Sequence, residues 1–162
     1  MYKSIFILFL CSTFVLSASN PSNDLDNDLV PNNVDKCPNT PEGVFVTRDG
    51  CTKPIYKNIY FDHASSYVSD KFNEIIKDTA ELINETPGYN VFISGHTDSV
   101  ADAKINMKLS ETRAMKVHNI LIQNKVDKNK VKVSWHGETM PVSSNITDIG
   151  RSENRRVNII LK

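Results

Sequence analysis

From residue 55 onward the apolar residues of this chain switch repeatedly between a period of two and a period near 3.6, which restricts the fold more than any compositional figure. "IYKNIYF" alternates through Ile55, Lys57, Ile59 and Phe61 and predicts a strand. From Ser66 to Thr86, Val68, Phe72, Ile75, Ile76, Leu82 and Ile83 fall at helical spacing, and Pro87-Gly88 stops that helix. "NVFISG" is a short apolar strand without clean alternation, expected to be covered on both faces. A second helix is expected from about Asp102 to Asn124, then a strand through Val131, Val133 and Trp135, and a last strand in "RRVNIIL". The order β-α-β-α-β-β implies an α/β two-layer sandwich, a mixed sheet with helices on one face.

Ahead of that domain the sequence changes character. Met1-Tyr2-Lys3, the apolar run "SIFILFLCSTFVL" and the small residues "SAS" predict a secretory leader over residues 1–18, cleaved after Ala18. The run is too short for a good membrane anchor. Cys11 is read as discarded with the leader rather than lipidated, because Leu10 stands where a lipobox wants a small residue. Export leaves Cys37 and Cys51 in an oxidising compartment, where they are expected to form a disulfide. Its loop would contribute about 3 kcal/mol in the chain-entropy account. A metal site at these thiols is disfavoured, since no histidine precedes His63.

Five of the seven prolines lie before residue 55. Residues 19–54 carry six acids against three bases, and residues 55–162 carry thirteen against fifteen. These shifts place a boundary near Pro54, between an acidic, disulfide-stapled segment (19–54) and a compact domain (55–162). The whole chain has 19 basic and 19 acidic residues, so neither its charge nor any basic stripe suggests a nucleic-acid partner.

Within the second helix, Arg113 falls in the middle of the stripe formed by Val117, Ile120 and Leu121. A guanidinium facing the core needs an acceptor, from the protein or from a ligand. Asp98, in the break after the second strand, is the nearest candidate, and Asn106 shares the helix face with Arg113. Two readings stay open. Asp98 and Arg113 form an internal salt bridge, or together they bind a zwitterion, the acid taking an ammonium and the arginine fork a carboxylate.

"GHTDSVADAKINMKLSETRAMKV" followed by "HGETMPVSSNITDIGRSENRRVNI" resembles the OmpA-like C-terminal domain family of peptidoglycan-associated proteins over roughly residues 55–162. The specific matches are Gly95-His96-Thr97-Asp98, Asn106 with Leu109-Ser110 and Arg113-Ala114, and Gly150-Arg151 with Asn154-Arg155-Arg156-Val157. The resemblance implies non-covalent binding of peptidoglycan through the diaminopimelate of its stem peptide. Asp98 would take the side-chain ammonium and Arg113 a carboxylate. Thr97 and Asn106 would support the site, Phe61 and Asp62 would supply backbone N–H groups, and Arg155 would lie at the rim. Two departures put the loop geometry in question: Ala101 stands where glycine is usual, and Ser134 replaces the first glycine before His136-Gly137-Glu138.

"DLDNDLVPNNVDKCPNTPEGVFVTRDGC" resembles a thrombospondin type-3-like repeat, which implies calcium ligation by Asp24, Asp26, Asp28 and Asp35. Leu29 replaces the expected glycine and Asn32 a usual acid. A solvated acidic linker without metal is the competing reading.

Catalysis has little support. The histidines lack a third ligand at metal spacing, and there is no G-x-S-x-G elbow or phosphate-binding loop. The lysines of "NKVDKNKVK" read as a solvated turn. An exported, Gram-negative envelope protein of the periplasm and outer-membrane periphery follows, with no required cofactor. About 36 residues between leader and domain are too few for an eight-stranded barrel, so an envelope protein partner is expected to supply the outer-membrane link. The alternative is a protein-docking module in which Asp98–Arg113 is internal glue.

Overall fold

The computed structural model describes residues 23–162; the expected leader and Cys11 lie outside them. The elements are β1 (Ile55–Tyr60), α1 (Asp70–Glu85), β2 (Val91–Gly95), α2 (Ala103–Gln123), β3 (Val131–Trp135), α3 (Asp148–Asn154) and β4 (Arg156–Leu161). One four-stranded sheet runs in the order β1-β4-β2-β3. β4 pairs antiparallel with both β1 and β2, and β2 pairs parallel with β3. The mixed α/β sandwich is therefore as the periods imply.

The core lies where the inward strand positions meet the helices. Ile59, Val91, Ile93, Val157, Ile159 and Leu161 pack with Ile76, Ala80 and Ile83 of α1 and Ala114, Val117 and Leu121 of α2. Gly95 lets α2 approach β2: a Cβ there would lie 2.2 Å from the Ser110 carbonyl oxygen. Backbone cannot yield as a flexible side chain can, so Gly95→Ala is expected to cost about 3 kcal/mol. A urea melt of the variant would show it as a lower midpoint at unchanged slope.

Three local expectations need correction. α1 begins at Asp70 rather than Ser66, with Ser69 as N-cap. The preceding stretch is held otherwise: the Ser65 carbonyl accepts from Arg113 and the Ser65 hydroxyl from the Tyr67 amide. β2 is covered on only one face; Phe92 and Ser94 are half-buried on the other, where the Lys132 and Lys162 ammonium groups lie 5.5 and 4.5 Å from the Phe92 ring centroid. The strand through Val131, Val133 and Trp135 forms as expected, at the edge of the sheet, with Trp135 39% exposed. Finally, the helix α3 intervenes before β4. Its sequence has no apolar stripe to announce it, since Ile149 faces solvent and the buried residues are Gly150 and Asn154. The sign that was there is Thr147, whose side chain caps the helix at the Gly150 amide.

The acidic segment folds back on the domain. Cys37 and Cys51 are bonded, with Cα atoms 5.0 Å apart. The buried Tyr89 hydroxyl donates to the Lys53 carbonyl at 2.7 Å and accepts from the Phe45 amide at 3.1 Å, and Val44 packs on the core.

Candidate functional site

The amino-terminal half of α2 buries a polar stripe, Asn106, Ser110 and Arg113, which runs on into apolar Val117 and Leu121. The spacing of three and four residues puts all of them on one face. Asp102 caps the helix by accepting from the Ile105 amide, which fixes the turn where it enters α2.

Arg113 is completely buried. Its Nε donates to the Ser65 carbonyl at 2.8 Å, Nη1 to His96 at 3.0 Å and Nη2 to Asp62 at 3.0 Å. The guanidinium carbon lies 5.0 Å from the Phe61 ring centroid, a cation–π contact in a desolvated setting. Burial pulls its pKa down to about 10; Asp98 opposes that pull and Arg155 adds to it. It remains a cation at neutral pH. Five N–H groups against three carbonyls leave two to spare.

Asp98 is 5% exposed. Among the described residues its ion pair is with Arg155 Nη1 at 3.1 Å, not with Arg113, and His63 Nδ1 lies 3.8 Å away. Among those residues its other oxygen has only the Val100 amide, at 3.4 Å. Arg155, expected at the rim, turns inward: its side chain is 17% exposed and its Nε donates to the Phe61 carbonyl. Phe61 also departs from expectation, because its N–H is spent on the Arg155 carbonyl at 2.9 Å. What Phe61 and Asp62 bring to this neighbourhood is carbonyl oxygens and a ring, which receive the two arginines.

Thr97 and Asn106 stand beside this pair. The Thr97 amide donates to Gly137, and its buried hydroxyl has no partner among the described residues. Asn106 Nδ2 donates to the Ala101 carbonyl at 2.8 Å and to the Glu138 carboxylate. Glu138 was no candidate from sequence, yet through Asn106 it ties the loop carrying Asp98 to the turn after β3. Gly137 joins the same tie, its amide donating to Ser110 Oγ at 2.9 Å.

His96, two residues before Asp98, stacks on His136 with centroids 5.3 Å apart. Burial, then the nearby Arg156 and His136, push its pKa down to about 4, while a contact with Asn158 acts the other way. The folded protein therefore holds His96 neutral, and the unfolded chain takes up the proton first as pH falls below 6.5. Stability present above pH 6.5 is lost down to about pH 4, by up to about 3 kcal/mol. Melting temperatures across that range should fall steeply in the wild type and less steeply in His96→Gln; parallel profiles would assign the acid sensitivity elsewhere.

A second constellation lies in the acidic segment. Asp24, Asp26 and Asp28 bring carboxylate oxygens within 4.8 Å of one another. Each is aimed by a backbone amide on one oxygen: Leu29 on Asp24, Thr40 on Asp26, Val30 on Asp28, and Cys37 on the neighbouring Asp35. The other oxygen of all four is buried without a partner among the described residues. Burial raises the Asp28 pKa, against the Val30 amide and with the help of Asp26, Asp35 and Asp24. Leu29, where glycine was expected, sits at φ 71°. The left-handed turn is thus made without glycine, at a cost of roughly 1 kcal/mol. Four oriented carboxylates with orphaned oxygens fit a hard divalent cation.

The profile of the OmpA family matches residues 60–155. Outer membrane porin F of Pseudomonas aeruginosa is 39% identical over 140 residues, covering 83% of this chain but 40% of that protein. The chain therefore spans less than half of that relative's length. Among solved structures, the peptidoglycan-associated lipoprotein of Burkholderia pseudomallei superimposes with a TM-score of 0.62 at 24% identity, over 65% of this chain and 89% of that one. A cell wall anchor from Pseudomonas aeruginosa gives 0.59 at 28% identity, over 69% and 83%.

Proposed function

The chain belongs to the OmpA family, and from that membership we propose that its carboxy-terminal domain binds peptidoglycan non-covalently, gripping the diaminopimelate of the stem peptide. Asp98 receives the side-chain ammonium and the spare N–H groups of Arg113 receive the adjacent carboxylate, with the Thr97 hydroxyl beside them. The observation that carries the reading is that Asp98 and Arg113 are both buried yet not paired with each other, so each keeps hydrogen-bonding capacity for a zwitterion. The same observation disfavours the docking alternative, which needs them to be each other's partner. The likeness to a cell wall anchor points the same way. No bond is made or broken.

Residues 1–18 then act as an export leader, 19–54 as the acidic segment and 55–162 as the wall-binding domain, in the periplasm beside the outer membrane. Among the described residues no helix is long and apolar enough to cross a membrane. In this reading an envelope protein partner links the domain to the outer membrane.

The test is co-sedimentation with isolated sacculi, competed by soluble muropeptides. A diaminopimelate peptide should displace the protein at concentrations at least tenfold below a peptide with lysine at that position, which lacks the second carboxylate. Equal competition would remove the diaminopimelate assignment. A protein that stays in the supernatant would remove wall binding altogether.

The orphaned oxygens of Asp24, Asp26, Asp28 and Asp35 favour a second reading, a calcium site in the acidic segment. Calcium should then protect residues 24–35 from limited proteolysis, and chelation should restore cleavage.

A further inference from the structure

Two of the four aspartates are aimed by amides that belong to the disulfide loop. The Cys37 amide holds Asp35 Oδ1 and the Thr40 amide holds Asp26 Oδ2, each at 2.7 Å. The buried Thr40 hydroxyl spans the loop, its one proton shared between the Gly50 carbonyl at 2.5 Å and the Cys37 carbonyl at 3.0 Å. Gly50, next to Cys51, presses against the carboxylates from the far side. A Cβ there would fall 2.0 Å from Asp35 Oδ1 and 3.1 Å from Asp28 Oδ2, and its φ of 78° favours glycine. The loop closed by the disulfide is therefore one wall of the carboxylate cage.

We infer that the Cys37–Cys51 disulfide and divalent-cation binding at Asp24, Asp26, Asp28 and Asp35 are thermodynamically linked, each strengthening the other. The inference rests on the cation reading above and goes beyond it. The converging carboxylates of Asp24, Asp26 and Asp28, with that of Asp35 close by, repel one another, and the aimed amides and the Gly50 wall hold them in place. Opening the disulfide frees the ends of the loop that carries both. A bound cation in turn holds Asp35 and Asp26 on those amides, so that the two thiols stay side by side. A lost bridge would thus be felt as lost calcium, and lost calcium as easier reduction.

Linkage is reciprocal, so two independent measurements must return one factor. The chain from Ser19 onward is titrated with calcium chloride in a calorimeter, oxidised and then fully reduced. Separately, the disulfide is equilibrated in glutathione buffers with saturating calcium or with chelator, and free thiols are counted by alkylation and mass. Calcium should bind the oxidised chain at least tenfold more tightly. Saturating calcium should shift the thiol–disulfide equilibrium towards the bridge by the same factor. Asp28→Asn, kept oxidised, should lose both the calcium heat and the shift while the melt of the domain stays in place. Equal calcium affinity in both redox states, with an unmoved thiol equilibrium, overturns the linkage and leaves the cation reading standing. No calcium heat at millimolar concentrations in the oxidised chain overturns both.

Discussion

Arg113→Ala is expected to cost the domain about 4 kcal/mol, enough to lower its melting temperature by 15 °C or more. The side chain is fully buried and is the common donor for three carbonyls, those of Asp62, Ser65 and His96. Asp62 and Ser65 lie in the connection from β1 to α1, and His96 follows β2. Alanine leaves those carbonyls without a donor, at about 1–3 kcal/mol for each that water cannot reach, and it opens a void beside the Phe61 ring. Arg113→Lys should recover only part of the loss, because one ammonium cannot direct donors along three fixed vectors as a planar guanidinium does. Thermal melts followed by circular dichroism would decide it. A shift of only a few degrees for the alanine variant would mean that the carbonyls find other partners.

The second large effect concerns binding rather than stability, and belongs to Asp98. Asp98→Asn keeps shape and acceptor but removes the charge that a ligand ammonium would meet. Retention on sacculi should fall by about a hundredfold in affinity, in keeping with the loss of one partner of a desolvated charge pair. Stability should fall by no more than about 2 kcal/mol, because Arg155 retains the Phe61 carbonyl as an acceptor. The two readouts separate cleanly here, as they do not for Arg113→Ala, where lost binding would follow from lost folding. A folded Asp98→Asn protein that pellets like wild type would refute the ammonium assignment.

What the sequence made legible, and what it did not, follows from which chemical groups were involved. The strands and the two long helices announce themselves because their inward positions are apolar at fixed periods, as Ile59, Val91, Ile93, Val117 and Leu121 illustrate. α3 has no such stripe and was missed. Arg113 was conspicuous as a charge among apolar neighbours, but its acceptors were not. They are backbone carbonyls 17, 48 and 51 positions away in the chain, and every residue has a carbonyl. The same blindness gave Phe61 an N–H role when its carbonyl is what Arg155 takes, and it put Arg155 at the rim when Asp98 draws it in. Glu138 lay hidden because its partner, Asn106, is brought near only by the turn that follows β3. The acidic segment was more readable, since carboxylates at alternate positions are side-chain features. That Gly50 and Thr40 close over them depends on the disulfide bringing distant backbone alongside.

The same bridge has a mechanical side. Any pull on the chain from ahead of residue 37 reaches the domain through Cys37, across the sulfurs to Cys51, and on through Thr52 and Lys53 into β1. The loop between the cysteines, 14 positions apart, drops out of the line of tension. Were it in series, it could pay out about 45 Å of slack. Phe45, inside that unloaded loop, can stay seated on Tyr89 while the tether is taut. The carboxy-terminal domain therefore hangs from a short, stiff lead whose bearing surface is spared the load.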